Sequence, residues 1–229
     1  TVALEFETTE PVKMVYTANG REPKLNSEEY KEALIFTKTT TLKIRSVLLS
    51  GKMSKVRTIR IEKQKYAPEL KDTSIEPGLQ AEYYKGIMRK VSELSGRTPD
   101  ETERISTPQQ AKNLIGNYNE FSGNDFCSTV LTGYINIPTD GVYYFSTDAE
   151  LWINNELLIS NEADNDGTAR RYSRSDKSVA LSKGLHPVKI IRIGGVFGGW
   201  PAQWQPVTVS IRRADEAVFK VMNATYFQP

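Results

Sequence analysis

The stretch best equipped for chemistry is Gly194-Gly195-Val196-Phe197-Gly198-Gly199-Trp200-Pro201-Ala202-Gln203-Trp204. Glycines on both sides of Phe197 allow tight turning, and two indoles follow. Sugars present apolar C–H faces on which flat rings stack while nearby amides take the hydroxyls, and indole is the largest such platform. Trp200 and Trp204, helped by Gln203, Asn154 and Asn155, are therefore the expected carbohydrate-binding residues. The competing reading is that these rings lock the loop onto its own domain or dock it on a neighbouring one.

The other reactive groups read more simply. Glu162-Ala163-Asp164-Asn165-Asp166-Gly167 imitates the start of a calcium loop, but Ser173 stands where the closing bidentate carboxylate belongs. A solvated hairpin tip is the better reading. One cysteine, Cys127, excludes an internal disulfide and a cysteine-based zinc site, and one histidine, His186, excludes any mechanism needing two. His186 precedes Pro187 at a strand entry with no carboxylate beside it, which suits a hydrogen-bonded structural histidine. Cys127, next to Phe126, reads as a buried thiol without a partner base. Arg170-Arg171-Tyr172-Ser173-Arg174 reads as a solvated strand face balanced by Asp176. Glycoside hydrolysis needs two carboxyls held rigidly about one bond. Here the carboxylates fall in loops or on strand faces. No catalytic residue, metal or cofactor is expected.

The frame that must hold these residues is 229 residues long, with 30 Lys and Arg against 28 Asp and Glu. That near balance argues against nucleic acid as a partner, because no basic excess exists to neutralise phosphates. No apolar run reaches the roughly 18–20 residues of a membrane span. Residue 1 is Thr, and the start reads as a cut from a longer chain. Charge is uneven. Residues 1–66 hold 13 Lys and Arg and 8 Glu without any Asp, whereas residues 67–229 hold 17 basic and 20 acidic residues. The polar stretch 65–77, bracketed by Pro68 and Pro77, reads as a linker between domains at 1–64 and 78–229.

Both domains read as strands. Val2, Leu4 and Phe6 alternate with polar residues, as do Leu79, Ala81 and Tyr83, and the runs Thr39–Val47, Leu131–Ile137, Val142–Phe145 and Val188–Ile193 are rich in β-formers. Asn19-Gly20 and Asp140-Gly141 are turn dipeptides, and Asn154-Asn155-Glu156 sits between two apolar runs as a hairpin tip. Asn26–Leu34 is predicted to make a helical turn with Asn26 as its cap and Glu29 three residues on. No strand–helix alternation occurs. The fold class is all-β, two β-sandwich domains.

Met14-Val15-Tyr16-Thr17-Ala18-Asn19-Gly20-Arg21-Glu22-Pro23, followed by Ser27, Tyr30 and the Thr39–Ile44 strand, resembles the chitobiase/β-hexosaminidase C-terminal domain. That resemblance implies a small immunoglobulin-like sandwich without catalytic residues. Gly78-Leu79-Gln80-Ala81-Glu82-Tyr83-Tyr84, Asp140-Gly141-Val142-Tyr143-Tyr144-Phe145, Leu151-Trp152-Ile153-Asn154-Asn155 and Gly184-Leu185-His186-Pro187-Val188 resemble, in order, the protective-antigen-type sandwich domain. Sugar-binding adhesins of that family grip a Ca²⁺ with two consecutive aspartates. Here Asp148 is followed by Ala149, so the resemblance offers Asp148 as a ligand-binding residue while removing half of the metal site. The tandem resembles the C-terminal region of secreted family-20 β-N-acetylhexosaminidases. It implies a non-catalytic accessory region for carbohydrate binding or domain positioning, with a glycan and an upstream catalytic domain as partners and an extracellular or periplasmic location. The alternatives are a free-standing adhesin-like glycan binder and a protein-interaction module.

Overall fold

Period-two alternation becomes paired strands in the computed structural model, which describes residues 1–71, 74–86, 88–112, 126–160, 174–193, 196–197, 200–201 and 206–229, with backbone alone for 126, 127, 196, 197, 200 and 201. The chain is all-β and divides into two units, Thr1–Lys65 and Tyr66–Pro229.

In the first unit, β1 (Val2–Leu4) pairs with β4 (Leu34–Phe36). A four-stranded sheet runs in the order β3 (Glu28–Glu29), β2 (Lys13–Thr17), β5 (Thr40–Val47), β6 (Arg57–Ile61). From Thr40 to Ile44 every other residue of β5 is buried, so Leu42 and Ile44 join Val15 in the core while Thr41 stays exposed. Phe6 meets the Tyr30 ring edge-on, with centroids 5.3 Å apart, a geometry that aligns the positive ring edge with the negative face. The helical turn predicted from Asn26 does not form. Glu28 and Glu29 pair instead with Tyr16 and Val15, and the Tyr30 amide donates to the Met14 carbonyl at 2.9 Å. A waiting strand edge satisfies these backbone groups better than one isolated turn could.

The second unit is a sandwich of a larger and a smaller sheet. The larger runs β12 (Glu156–Ile159), β11 (Glu150–Ile153), β14 (Gly184–Ile193), β9 (Phe126–Ile137), β7 (Leu79–Lys85), β8 (Glu101–Ile105). The smaller runs β13 (Ser175–Leu181), β10 (Gly141–Thr147), β17 (Val209–Arg213), β18 (Lys220–Val221). Inward-facing Leu79, Ala81, Tyr83, Leu131, Ile135, Leu151 and Ile190 of the larger sheet share one core with Phe145, Leu181, Val209 and Ile211 of the smaller. Two further short strands, β15 (Val196–Phe197) and β16 (Trp200–Pro201), pair with each other.

Gly78 lets the chain enter β7. Its φ is +84°, and a Cβ there would overlap the Ile105 carbonyl oxygen. Its amide donates to the Phe227 carbonyl at 2.7 Å, tying the chain end to this entry. A second apolar cluster, Tyr84, Met88, Val130, Ile191 and Ile193, covers one end of the larger sheet's outer face beneath Val91 and Leu94. Within the stretch read as a linker, Ala67 and Leu70 bridge to Leu181 and Leu185 of the second unit.

Candidate functional site

The register of the larger sheet lines up five outward-facing residues from five neighbouring strands. Trp152 on β11 stands opposite Lys189 on β14, Lys189 opposite Thr132 on β9, Thr132 opposite Gln80 on β7, and Gln80 opposite Arg104 on β8. Each alternates with a buried neighbour such as Leu151, Ile190, Leu131 or Ala81, so the strand period turns it to the outer face. The side chains at both ends of the row are tall and those in the middle short. The result is a trough of about 420 Å³, whose lining also includes Ser74, Ile75 and Glu76 ahead of β7, Tyr134 and Pro187 along the floor, and Asn155 at the hairpin tip. That volume lies in the range of pockets that hold small ligands.

Hydrogen bonds and charges fix the two walls differently. The Trp152 indole N–H donates to Glu150 Oε1 at 2.6 Å, two residues away on the same face, which orients the ring. Lys189 Nζ lies 4.4 Å above that ring's centroid, a cation over the electron-rich face. At the other wall, Arg104 pairs with Glu76 at 2.8 Å and donates to the Pro77 carbonyl at 3.0 Å. Arg104 is thus electrically balanced, while Lys189 has no carboxylate partner among the described residues.

Three carboxylates on β7 and β8 are committed to structure. Glu103 accepts from the Tyr83 phenol at 2.6 Å and Glu82 from the Tyr84 phenol at 2.8 Å, while Glu101 pairs with Lys112. Burial, reinforced by these carboxylates, pushes both phenols up to about 12. Such an arrangement can hold a ligand but offers no obvious acid–base pair.

The residues expected from sequence to bind do not assemble into one place among the described residues. Gln203 and Trp204 lie outside those residues, and Trp200 is described only by its backbone in β16. Asp148 sits in the turn between β10 and β11, where its Oδ2 accepts from Arg192 Nη2 at 2.8 Å. Ala149 beside it is fully buried. Asn154 and Asn155 have φ of 54° and 63°, the left-handed pair that a two-residue hairpin requires. The Asn154 amide bonds the buried ring of His186, and Asn155 lines the trough. His186 is a structural histidine, as expected: its Nε2 lies 2.9 Å from the Ser182 carbonyl, so that nitrogen carries the proton and Nδ1 accepts from Asn154 at 3.1 Å. The Glu162–Gly167 cluster lies outside the described residues. Trp152 was visible in the sequence only as a strand residue. Its alternation with Leu151 and Ile153 marks it as outward-facing, but nothing local links it to Lys189, Thr132, Gln80 or Arg104.

Comparison with known proteins agrees with the two-unit division. Residues 1–58 match the family described as the chitobiase/beta-hexosaminidase C-terminal domain, and residues 76–216 match the PA14 domain. A beta-hexosaminidase of Porphyromonas gingivalis is 39% identical over an alignment of 224 residues that covers 96% of this chain and 28% of that protein. The chain therefore spans little more than a quarter of that relative's length. Among solved structures, an anti-sigma factor domain-containing protein superposes with a TM-score of 0.47 at 15% identity, covering 95% of this chain and 77% of that one. The PA14 domain of the MpAFP antifreeze protein superposes with a TM-score of 0.44 at 14% identity, covering 69% and 94%. With its larger unit matched over residues 76–216, the chain belongs to the PA14 domain family.

Proposed function

We propose that this chain is the non-catalytic C-terminal accessory region of a secreted glycoside hydrolase, a β-N-acetylhexosaminidase, acting outside the cytoplasm in the extracellular or periplasmic space. The observation that carries the reading is the 39% identity to a beta-hexosaminidase along almost the whole tandem. An alignment that runs through both units joins the pair to that enzyme rather than one interchangeable module. Structural commitment of Glu82, Glu101, Glu103, Asp148 and Glu150 supports a binding or positioning role over catalysis. The partners are a glycan and an upstream catalytic domain of the same chain. Trp200, Gln203 and Trp204 are the residues proposed to touch sugar. Among the described residues no helix is long and apolar enough to cross a membrane.

The test is direct. The 229-residue chain incubated with a chromogenic N-acetylglucosaminide is expected to give no turnover. Steady hydrolysis abolished by a single carboxylate substitution would overturn the reading.

A further inference from the structure

We infer that the trough on the outer face of the larger sheet is a saccharide site of its own, shaped for a sugar unit that carries a carboxylate or a sulfate. That the occupant is a saccharide rests on the accessory-region reading above; that it is anionic rests on the trough itself.

The floor and the tip are ready for hydroxyls. The side-chain polar groups of Gln80, Thr132, Tyr134 and Asn155 all line the trough, and none has a hydrogen-bond partner among the described residues. Donor and acceptor groups in an amide–hydroxyl–phenol–amide set match the mixed donor and acceptor character of a sugar. With strands roughly 4.8 Å apart, the walls at Lys189 and Arg104 stand about 14 Å from each other at the backbone, room for one or two pyranose rings.

Charge then selects among sugars. Arg104 is neutralised by Glu76, and Trp152 spends its N–H on Glu150, so among the described lining residues the one charge without an opposite partner is the Lys189 ammonium. It rests on the Trp152 face with its three donors unused by any described carboxylate. An anionic substituent can accept from this ammonium while the cation keeps its aromatic contact, adding a charge-assisted bond. A neutral ring stacking on the same indole face would first have to push the ammonium away. The lysine thus turns an aromatic platform that would otherwise suit any pyranose into one that favours acidic ones.

Titration of the intact chain, followed by NMR at the Trp152 indole N–H, tests this with sialyllactose and a chondroitin sulfate tetrasaccharide against lactose and N,N′-diacetylchitobiose. Acidic probes are expected to shift that resonance and to bind about tenfold or more tightly than the neutral ones, with affinity falling as salt rises. Lys189→Met, which keeps the aliphatic stem, is expected to remove that preference without lowering the thermal midpoint. Trp152→Phe, which retains an aromatic face but not the reporter N–H, should remain folded and bind the acidic probes more weakly by calorimetric titration. Equal binding of neutral probes, acidic binding unchanged in Lys189→Met, or no binding by any probe would each overturn the proposal. Hydrolysis of the chromogenic substrate would sink the accessory reading and leave this result standing, so the two failures are distinguishable.

Discussion

Arg192 and Asp148 form the least exposed ion pair among the described residues, with side chains 7% and 16% accessible. A divalent cation at Asp148 would have to displace a buried guanidinium and then find six to eight oxygens, with Ala149 supplying none from its side chain. Millimolar Ca²⁺ added after EDTA is therefore expected to leave the unfolding midpoint of the second unit unmoved. A native-state site at 100 times its dissociation constant would add about 2.7 kcal/mol, a rise of several degrees for a domain of this size. A rise lost in Asp148→Ala would refute the expectation. Tyr83 makes a second residue-scale prediction. Burial first, and the bond to Glu103 second, raise its phenol to about 12 from the ordinary 10. A proton held more tightly in the native state gives stability that is complete below pH 10 and lost as pH climbs toward 12. Wild-type unfolding free energy should fall more steeply across that window than that of Tyr83→Phe, as chemical denaturation at a series of pH values would show.

At the scale of elements, the β11–β12 hairpin is held from beneath as well as by its own turn. Asn154 supplies both a left-handed backbone and the hydrogen bond to fully buried His186. Its amide nitrogen also donates to the Pro187 carbonyl at 2.9 Å, so the tip is tied to β14 by backbone and side chain together. Asn154→Gly preserves the turn and strands a buried imidazole nitrogen, which should cost about 1–3 kcal/mol. Asn155→Gly, whose side chain points into the trough rather than onto β14, should cost a few tenths of that at most. Equal losses in the two variants, measured by urea denaturation, would mean that the turn alone holds the hairpin.

For the whole molecule, the boundary between units has a measurable consequence. The Ala67 amide donates to Ala180, the Ser182 amide to Ala67, and the Leu70 amide to Leu185, at 2.9, 3.0 and 2.7 Å. Ala67 and Leu70 therefore contribute strand-like pairing to the second unit on a stretch whose composition suggests a free linker. A fragment of residues 66–229 is expected to melt cooperatively, and one of residues 78–229 to melt several degrees lower. Three bonds at about 0.5–1.5 kcal/mol each set that scale. Identical midpoints by calorimetry would show that the stretch adds nothing to this unit.

Which residues alternate, where Asn19-Gly20 and Asn154-Asn155 turn, and that the chain is all-β were determined by the sequence alone, because strand period and turn chemistry are set within a few residues. Leu151, Trp152 and Ile153 already declare two faces, since the strand period leaves no other choice. Partner choice is different in kind. Asn26 and Glu29 carry a helix-start signal, yet Glu28 and Glu29 are strand because β2 offers a long-range ladder that local propensity cannot anticipate. The trough is a stronger case. Gln80, Arg104, Thr132, Trp152 and Lys189 come from five strands, and only the sheet order and register place them in one row. A shift of one residue in any pairing would turn that strand's member of the row inward and bury it, so the site exists through tertiary hydrogen bonding rather than through any motif. Asp148 shows the same dependence: its sequence neighbours suggest a damaged metal ligand, and the fold brings Arg192 from 44 residues away into an ion pair with it.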